Sequence, residues 1–270
     1  MIKKTSVLNL EDIEGVILAA GYSSRFNFDD CTFKKFFLPL KKTIILNYVI
    51  AGMYSAGIRR INIIVDENVD KSHVIECCFD FSKEIKLDFD DLKLNIIENK
   101  FSERENGYSL YLGANAVVSK SFVLSMADHI FSDNIYDILL KNFKGDDIVL
   151  ATDPMRIKGI YDLEDCTKVF GENTNILKIG KQIKNYNRLD MGVFVMNTKI
   201  ISTISQKIER NNKKFGVSNI VLACIALNLK VTYFDFSNTI WVDVDNETEY
   251  KKLKENFNES DKIKPFNLDI

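Results

Sequence analysis

Phe122-Val123-Leu124-Ser125-Met126-Ala127-Asp128-His129 is a short apolar run that ends in a carboxylate. Such a run reads as a strand buried on both faces of a parallel sheet, with Asp128 emerging at its carboxyl edge. In open α/β sheets, ligands bind at that edge. Upstream, Gly15-Val16-Ile17-Leu18-Ala19-Ala20-Gly21-Tyr22-Ser23-Ser24-Arg25 is a second apolar strand, followed by a turn of small residues and an arginine. Small side chains let backbone N–H groups approach phosphate oxygens closely, and a planar guanidinium grips a polyphosphate through paired hydrogen bonds. Far downstream, Trp241-Val242-Asp243-Val244-Asp245 carries two more carboxylates. A phosphate cradle, a cation and acidic metal ligands are the equipment for chemistry on a nucleotide phosphate. The same residues also have ordinary readings. These are a βα turn with a surface arginine, an Asp128 that caps a following helix, and a charged strand end.

Working outward, strand patterns alternate with helical ones. Residues 16–20, 61–65, 94–97 and 148–152 read as further strands, and helices fit 107–118 and 133–143. Ile45, Val49 and Met53 recur every four residues and mark a helix face, with Gly57 as its stop. This alternation predicts an α/β fold with a mixed, mainly parallel central sheet covered by helices on both faces. The second half is less regular, with strands at 191–196 and 231–234 and helices at 217–229 and 247–257. Segment 71–91 is charged and aromatic without a clear period and receives no assignment. The expected organisation is one domain over 1–258 and a polar, peripheral tail over 259–270.

Composition narrows the partners. The chain has 270 residues, 46% of them apolar, and 36 basic against 38 acidic residues leave a net charge of −2. No charge excess points to nucleic acid or an anionic membrane, so local cations must hold any anionic ligand. The 5 cysteines (Cys31, Cys77, Cys78, Cys166 and Cys224) lack metal-type spacing, and with only 2 histidines they argue against a zinc site and for small apolar packing. The start of the chain lacks a signal-length apolar stretch, and no run reaches the ~18 apolar residues of a membrane span. The expectation is a reduced, cytoplasmic protein without membrane insertion.

Ten residues past Arg25 comes Lys35-Phe36-Phe37-Leu38-Pro39-Leu40. With the turn at 18–25 it resembles the L-A-A-G-x-G-x-R and K-P-L-x-P signature of nucleotidyltransferases that activate sugar phosphates and related phosphate esters. Ser23 stands where glycine is usual and Phe36 where proline is usual. Further motifs follow in order: Glu105-Asn106-Gly107-Tyr108-Ser109-Leu110, then Met126-Ala127-Asp128-His129-Ile130, then Asp162-Leu163 with Cys166-Thr167-Lys168-Val169. Ile179-Gly180-Lys181, Asp190-Met191-Gly192-Val193-Phe194 and 241–245 complete the series. This order, over roughly 15 to 257, resembles the cytidylyltransferases that act on inositol 1-phosphate. Phosphocholine and phosphonate cytidylyltransferases share much of the frame.

The resemblance implies a Rossmann-like, GT-A-like nucleotidyltransferase fold whose half over 14–130 binds CTP and whose half over 131–258 binds the acceptor. It implies Mg2+ as cofactor, and as partners CTP and a small phosphorylated or phosphonate acceptor. Magnesium prefers oxygen ligands and often takes only one or two carboxylates besides substrate phosphates. Asp128 suits it, with Asp243 ranked ahead of Asp245, although either could ligate. Arg25 and Lys35 would stabilise charge on the α-phosphate and pyrophosphate, and the register between Lys34 and Lys35 stays open. Lys181 would approach the acceptor phosphate, and Lys168 is a second candidate for that task.

Leu18, Ala19, Ala20, Gly21, Ser23 and Ser24 would cradle the nucleotide. Asn106, Gly107 and Ser109 would recognise cytosine and ribose, unless Asn106 is an ordinary N-cap. Asp190 and Gly192 fall where the family holds acceptor hydroxyls. His129 would contact the acceptor or serve as a structural hydrogen-bond partner. Trp241 receives no catalytic part. Three alternatives stay open: a phosphocholine or 2-aminoethylphosphonate acceptor, a sugar 1-phosphate nucleotidyltransferase using UTP or dTTP, and a non-catalytic nucleotide-binding protein. The oligomeric state, a homodimer included, stays open too.

Overall fold

Parallel strands buried on both faces must be apolar at nearly every position, and β1 (Ile13–Ala19) is buried along its whole length. The computed structural model describes residues 13–26, 34–85, 89–156, 160–211 and 214–259. After β1 come a single 3₁₀ turn at Lys35–Phe37 and a small hairpin, β2 (Pro39–Leu40) with β3 (Thr43–Ile44). The chain continues through α1 (Ile45–Ser55), β4 (Arg60–Asp66), α2 (Lys71–Ile85), β5 (Lys93–Asn99), α3 (Asn106–Ala116) and β6 (Ser121–Met126). Next are β7 (His129–Phe131), α4 (Ile135–Asn142), β8 (Ile148–Asp153), β9 (Lys168–Glu172), β10 (Asn175–Gly180) and β11 (Arg188–Asn197). The last elements are α5 (Thr198–Asn211), α6 (Val217–Ala226), β12 (Val231–Asp235), β13 (Trp241–Asp243) and α7 (Glu247–Glu259).

Among the described residues the central sheet has nine strands in the order β5-β4-β1-β6-β11-β8-β12-β10-β9. Pairing is parallel from β5 through β6 and between β8 and β12, and antiparallel elsewhere. It follows that only β10 and β11 run against the rest. Alternation splits the core between the two faces. Ile17, Ile63, Val123 and Val195 pack with α1 and α4 on one side. Val16, Ile64, Leu124 and Phe194 pack with α3, α5 and α6 on the other.

The topology decides where ligands can sit. The chain moves outward from β1 to β4 and β5, then returns to place β6 on the opposite side of β1. The carboxyl ends of β1 and β6 therefore flank a topological switch point. Because β11 runs backwards between β6 and β8, its beginning, not its end, reaches the same edge. That is why Asp190, near the start of β11, joins Asp128, just past the end of β6.

Segment 71–91, left without assignment, holds α2, and α5 was not read either. The β9–β10 hairpin was missed because its turn carries no glycine. Asn173 and Thr174 take the left-handed conformation instead, at φ 47° and 68°, the backbone of a type I′ turn. Of the cysteines, Cys78, Cys166 and Cys224 are buried, Cys77 is half-buried and all four are free thiols. Cys31 lies outside the described residues, as does nearly all of the 259–270 tail. No helix among the described residues is long and apolar enough to cross a membrane.

Helix α3 seats on β1 through Gly113, where a Cβ would lie 2.5 Å from Val16 Cγ1. Gly113→Val should therefore lower the unfolding free energy by about 2 kcal/mol, a usual cost of overpacking. The check is the urea midpoint at unchanged slope, and an unmoved midpoint would contradict this seating.

Candidate active site

Two clefts open at the carboxyl edge and meet at Asp128. The first, ≈ 320 Å³, is lined by Leu18, Ala19, Ala20, Gly21 and Ser23 from the turn after β1. Lys35, Asn106, Ser109 and Asp128 also line it. The second, ≈ 190 Å³, is lined by Asn106, Asp128, His129, Lys181, Asp190, Gly192, Asp243 and Asp245. Most of the residues read from the sequence thus gather into two adjoining hollows, the first nucleotide-sized and the second smaller and strongly acidic.

The turn after β1 shows how a departure from the glycine pattern is accommodated. Ser23 adopts φ 54°, the left-handed region where glycine is favoured. Its hydroxyl then accepts the backbone N–H of Lys35 at 3.0 Å, tying the phosphate turn to the lysine segment. Phe36, in the place of proline, turns inward and packs on Phe37 with ring centroids 4.5 Å apart. The register of the two lysines is resolved by burial. Lys34 has a side chain 4% exposed and pairs with Asp66 at 3.2 Å, whereas Lys35 lines the first cleft.

The acidic corner forms through β13, which pairs antiparallel with β7 and sets Asp243 opposite His129. The backbone N–H of Val244 donates to Asp128 O at 3.2 Å. Two stretches more than a hundred residues apart are thereby locked together. Asp128 is followed by a strand and not a helix, so the helix-cap reading of it does not hold. Lys35 Nζ reaches Asp128 Oδ2 at 2.5 Å and also pairs with Asp245. Arg25 pairs with Asp245 at 3.0 Å and Asp165 at 2.7 Å. His129 Nδ1 lies 2.9 Å from Asp128 Oδ1.

Burial opposes charge on Lys35, Asp128, His129, Asp243 and Asp190, and their partners decide the outcome. Lys35 and His129 outweigh burial and hold Asp128 well below the usual carboxylate range. Burial likewise works against charge on His129, but Asp243 and Asp128 lift it to about 9. Asp243 is pushed up to about 7 by burial and by its neighbours Asp128 and Asp245. Burial raises Asp190 to about 6, partly offset by the Gly192 N–H and His129.

These residues fit a divalent cation. Among the described residues, Asp128, His129 and Asp243 bring ligand atoms within 4.8 Å of one another. Asp243 Oδ1 is buried without a hydrogen-bond partner. Magnesium takes oxygen ligands, so Asp128 and Asp243 are the carboxylates that would hold it. His129 would orient Asp128, and Asp245 lies outside this group, paired with Arg25 and Lys35.

Four residues read from the sequence stand elsewhere. Lys168 is buried and donates to Glu164 O and Cys166 O, at 2.9 and 3.1 Å, away from the second cleft. Gly107 makes room for protein, not base, since a Cβ there would lie 2.4 Å from Phe215 O. Ser24 and Arg25 occupy the exposed turn beside the clefts. Asn106 does not cap its own helix. Its Oδ1 accepts the N–H of Val217 at 2.9 Å, joining the starts of α3 and α6, and Glu105 takes the cap position. Ser109 lines the first cleft and accepts from Asn99 Nδ2 at 3.0 Å. Gly192, at φ 73°, leaves space for His129, whose Cδ2 a Cβ would meet at 2.9 Å. The sequence reading missed Asp165, Glu103 and Glu105 as lining residues, because single acidic residues in polar loops carry no periodic signal.

The MobA-like NTP transferase domain model matches residues 15–168. The chain belongs to that family and is a nucleotidyltransferase. A Bifunctional IPC transferase and DIPP synthase from Aquifex aeolicus is 26% identical over 240 residues, 88% of this chain and 50% of the relative. One of the same name from Archaeoglobus fulgidus is 29% identical over 157 residues, 58% of this chain and 29% of the relative. The chain thus spans half or less of these relatives' length. In fold it is similar to the inositol-1-phosphate CTP transferase from T. maritima, with TM-score 0.73, 23% identity and coverage of 92% and 98% of the two chains. A UDP-glucose pyrophosphorylase complexed with UDP-glucose gives TM-score 0.75 at 14% identity, with 91% and 98% covered.

Removing one member of a buried ion pair strands the other charge, so Lys34→Met should cost about 3 kcal/mol of stability. The double replacement Lys34→Met with Asp66→Asn should recover more than half of that loss. Urea unfolding of the three proteins measures this, and a neutral Lys34→Met would deny the pair its role in seating Lys35.

Proposed function

We propose that the chain transfers CMP from CTP to the phosphate of a small phosphorylated alcohol, with inositol 1-phosphate the favoured acceptor. The products are pyrophosphate and a CDP-activated alcohol. The observation that carries this reading is the meeting of two clefts at Asp128, one with Lys35 and the phosphate turn, the other with Lys181 and Asp190. That arrangement suits two anionic substrates brought end to end.

The acceptor phosphate oxygen attacks the α-phosphorus of CTP. A new P–O bond forms as the bond to the β-phosphate breaks, and pyrophosphate leaves with the electron pair. The nucleophile is already ionised at neutral pH, so no protein base is required. What remains is positioning and neutralisation of charge. Lys35 and Arg25 would serve the triphosphate, Lys181 the acceptor phosphate, and Ser109 and Asn106 the nucleoside end. A magnesium ion bound by Asp128 and Asp243 would supply neutralisation of phosphate charge at the junction.

Two observations favour a polyol over a choline acceptor. Asp190 offers a half-buried carboxylate, a hydrogen-bond acceptor for hydroxyl groups, with one oxygen spent on Gly192 N at 2.7 Å. A quaternary ammonium calls instead for an open aromatic face. Trp241, the aromatic side chain lining this cleft, is stacked by Tyr161 at 4.6 Å and by His129 at 5.6 Å. The names of the relatives, IPC transferase and inositol-1-phosphate CTP transferase, point the same way.

The test is pyrophosphate release with magnesium and each of CTP, UTP and dTTP, against inositol 1-phosphate, phosphocholine, 2-aminoethylphosphonate and glucose 1-phosphate. Turnover is expected with CTP and inositol 1-phosphate, and turnover confined to another pair would replace the assignment. Asp128→Ala should reduce kcat by about a thousandfold, the scale of removing one preorganised electrostatic group. A fully active Asp128→Ala enzyme would remove Asp128 from the site.

A further inference from the structure

Asp165, which the sequence reading passed over, touches Lys181 of the second cleft and Arg25 on the turn beside the clefts. Its Oδ2 lies 2.7 Å from Arg25 Nη1 and its Oδ1 lies 3.7 Å from Lys181 Nζ. It stands on a closed turn. Asp162 accepts the N–H of Glu164 through its side chain, and the N–H groups of Asp165 and Cys166 through its carbonyl. Cys166 is buried. The Thr167 carbonyl accepts the N–H of Asp190 at 2.9 Å, so the turn is fastened to the strand that carries the acceptor carboxylate.

We propose that Asp165 is a positioning residue for group transfer, holding Arg25 and Lys181 on one carboxylate so that both cations face the junction of the clefts. The inference rests on the transfer reaction proposed above. Immobilising long cationic side chains when substrate arrives costs binding free energy, and an anion that has already placed them reduces that cost. An arriving triphosphate carries more charge than one carboxylate, so Arg25 passes its paired hydrogen bonds to the phosphates. Lys181 remains tethered at the acceptor side. The side chains of Arg25 and Asp165 are 44% and 36% exposed, so their pairing adds little to stability and its consequence is placement.

Asp165→Asn keeps the shape and removes the charge. We expect acceptor KM to rise and kcat to fall, each about tenfold, the scale of modest misplacement, at an unchanged unfolding midpoint. CTP affinity by calorimetry should stay within roughly twofold, because Asp245 still holds Arg25 and its guanidinium remains to meet the phosphates. Asp165→Glu should restore most of the activity. The KM effect should vanish in a Lys181→Met background and the kcat effect in an Arg25→Met background, the mark of residues acting through one another. Effects that simply multiply in both backgrounds, or that track a lowered midpoint, would overturn the proposal. The cycles use whichever acceptor the wild type turns over, so silence with inositol 1-phosphate counts against the acceptor assignment alone. A readout independent of turnover is the ¹⁵N resonance of the Arg25 guanidinium. Its rotation should be slowed in wild type and faster in Asp165→Asn, where only the Asp245 contact remains, and identical rotation in both would also overturn the proposal.

Discussion

Three carboxylates arriving from opposite parts of the chain share one half-buried corner, and charges of one sign that close must be met by cations. Asp128 comes from the end of β6, and Asp243 and Asp245 from the end of β13. The β7–β13 pairing holds them in place, with Asp243 set opposite His129. The neighbouring residues read as answers to this crowding. Lys35 bridges Asp128 and Asp245, Arg25 joins Asp245 to Asp165, and His129 leans on Asp128. One buried oxygen, Asp243 Oδ1, accepts no hydrogen bond and has the His129 ring at 3.8 Å. The corner attracts positive charge, and the substrates of a nucleotidyltransferase bring phosphates that require it.

The same crowding explains why the two clefts are chemically unlike. The first is walled by small residues after β1 and by the start of α3, where backbone can come close to phosphate and sugar. The second gathers Asp128, Asp165, Asp190, Asp243 and Asp245, with Lys181 as the lysine among its lining residues. Lys35 belongs to both functions, since the cation that balances Asp128 also lines the first cleft. The backbone that presents Lys35 is fixed by contacts a short way off: the Ser23 hydroxyl on its N–H and the buried Lys34–Asp66 pair beside it. Ser23 in a left-handed turn thus gains a bond that glycine would lack, in return for a strained backbone.

The fold class was legible because burial leaves a periodic trace. The apolar runs at β1, β4, β6 and β8 and the four-residue spacing in α1 are imprints of a sheet covered on both faces. The helices α2 and α5 and the β9–β10 hairpin were missed. The apolar face of α5, with Ile201 and Ile204 buried, was there to be read among its charged residues, whereas the hairpin turn is made by Asn173 and Thr174 without glycine. At the site, the residues on strand ends were legible. Asp128 and the turn at 18–23 lie where an apolar run gives way to small or acidic residues. Lys168 illustrates the limit. It stands at the start of a strand like other candidates, yet its ammonium turns back to the carbonyls of its own loop.

By itself the sequence determined which segments are buried and the mainly parallel α/β class, because burial is local and recurs with the period of each element, and it marked Asp128 and the turn at 18–23 as candidates where apolar runs end. Only the tertiary structure decided which groups meet: Asp243 beside Asp128, Asn106 on α6 and not its own helix, Lys34 inside with Lys35 in the cleft, and Asp165 between the two cations. Those choices depend on strand register and on the reversed course of β11. Such pairings join residues far apart in the chain, where no periodicity can announce them.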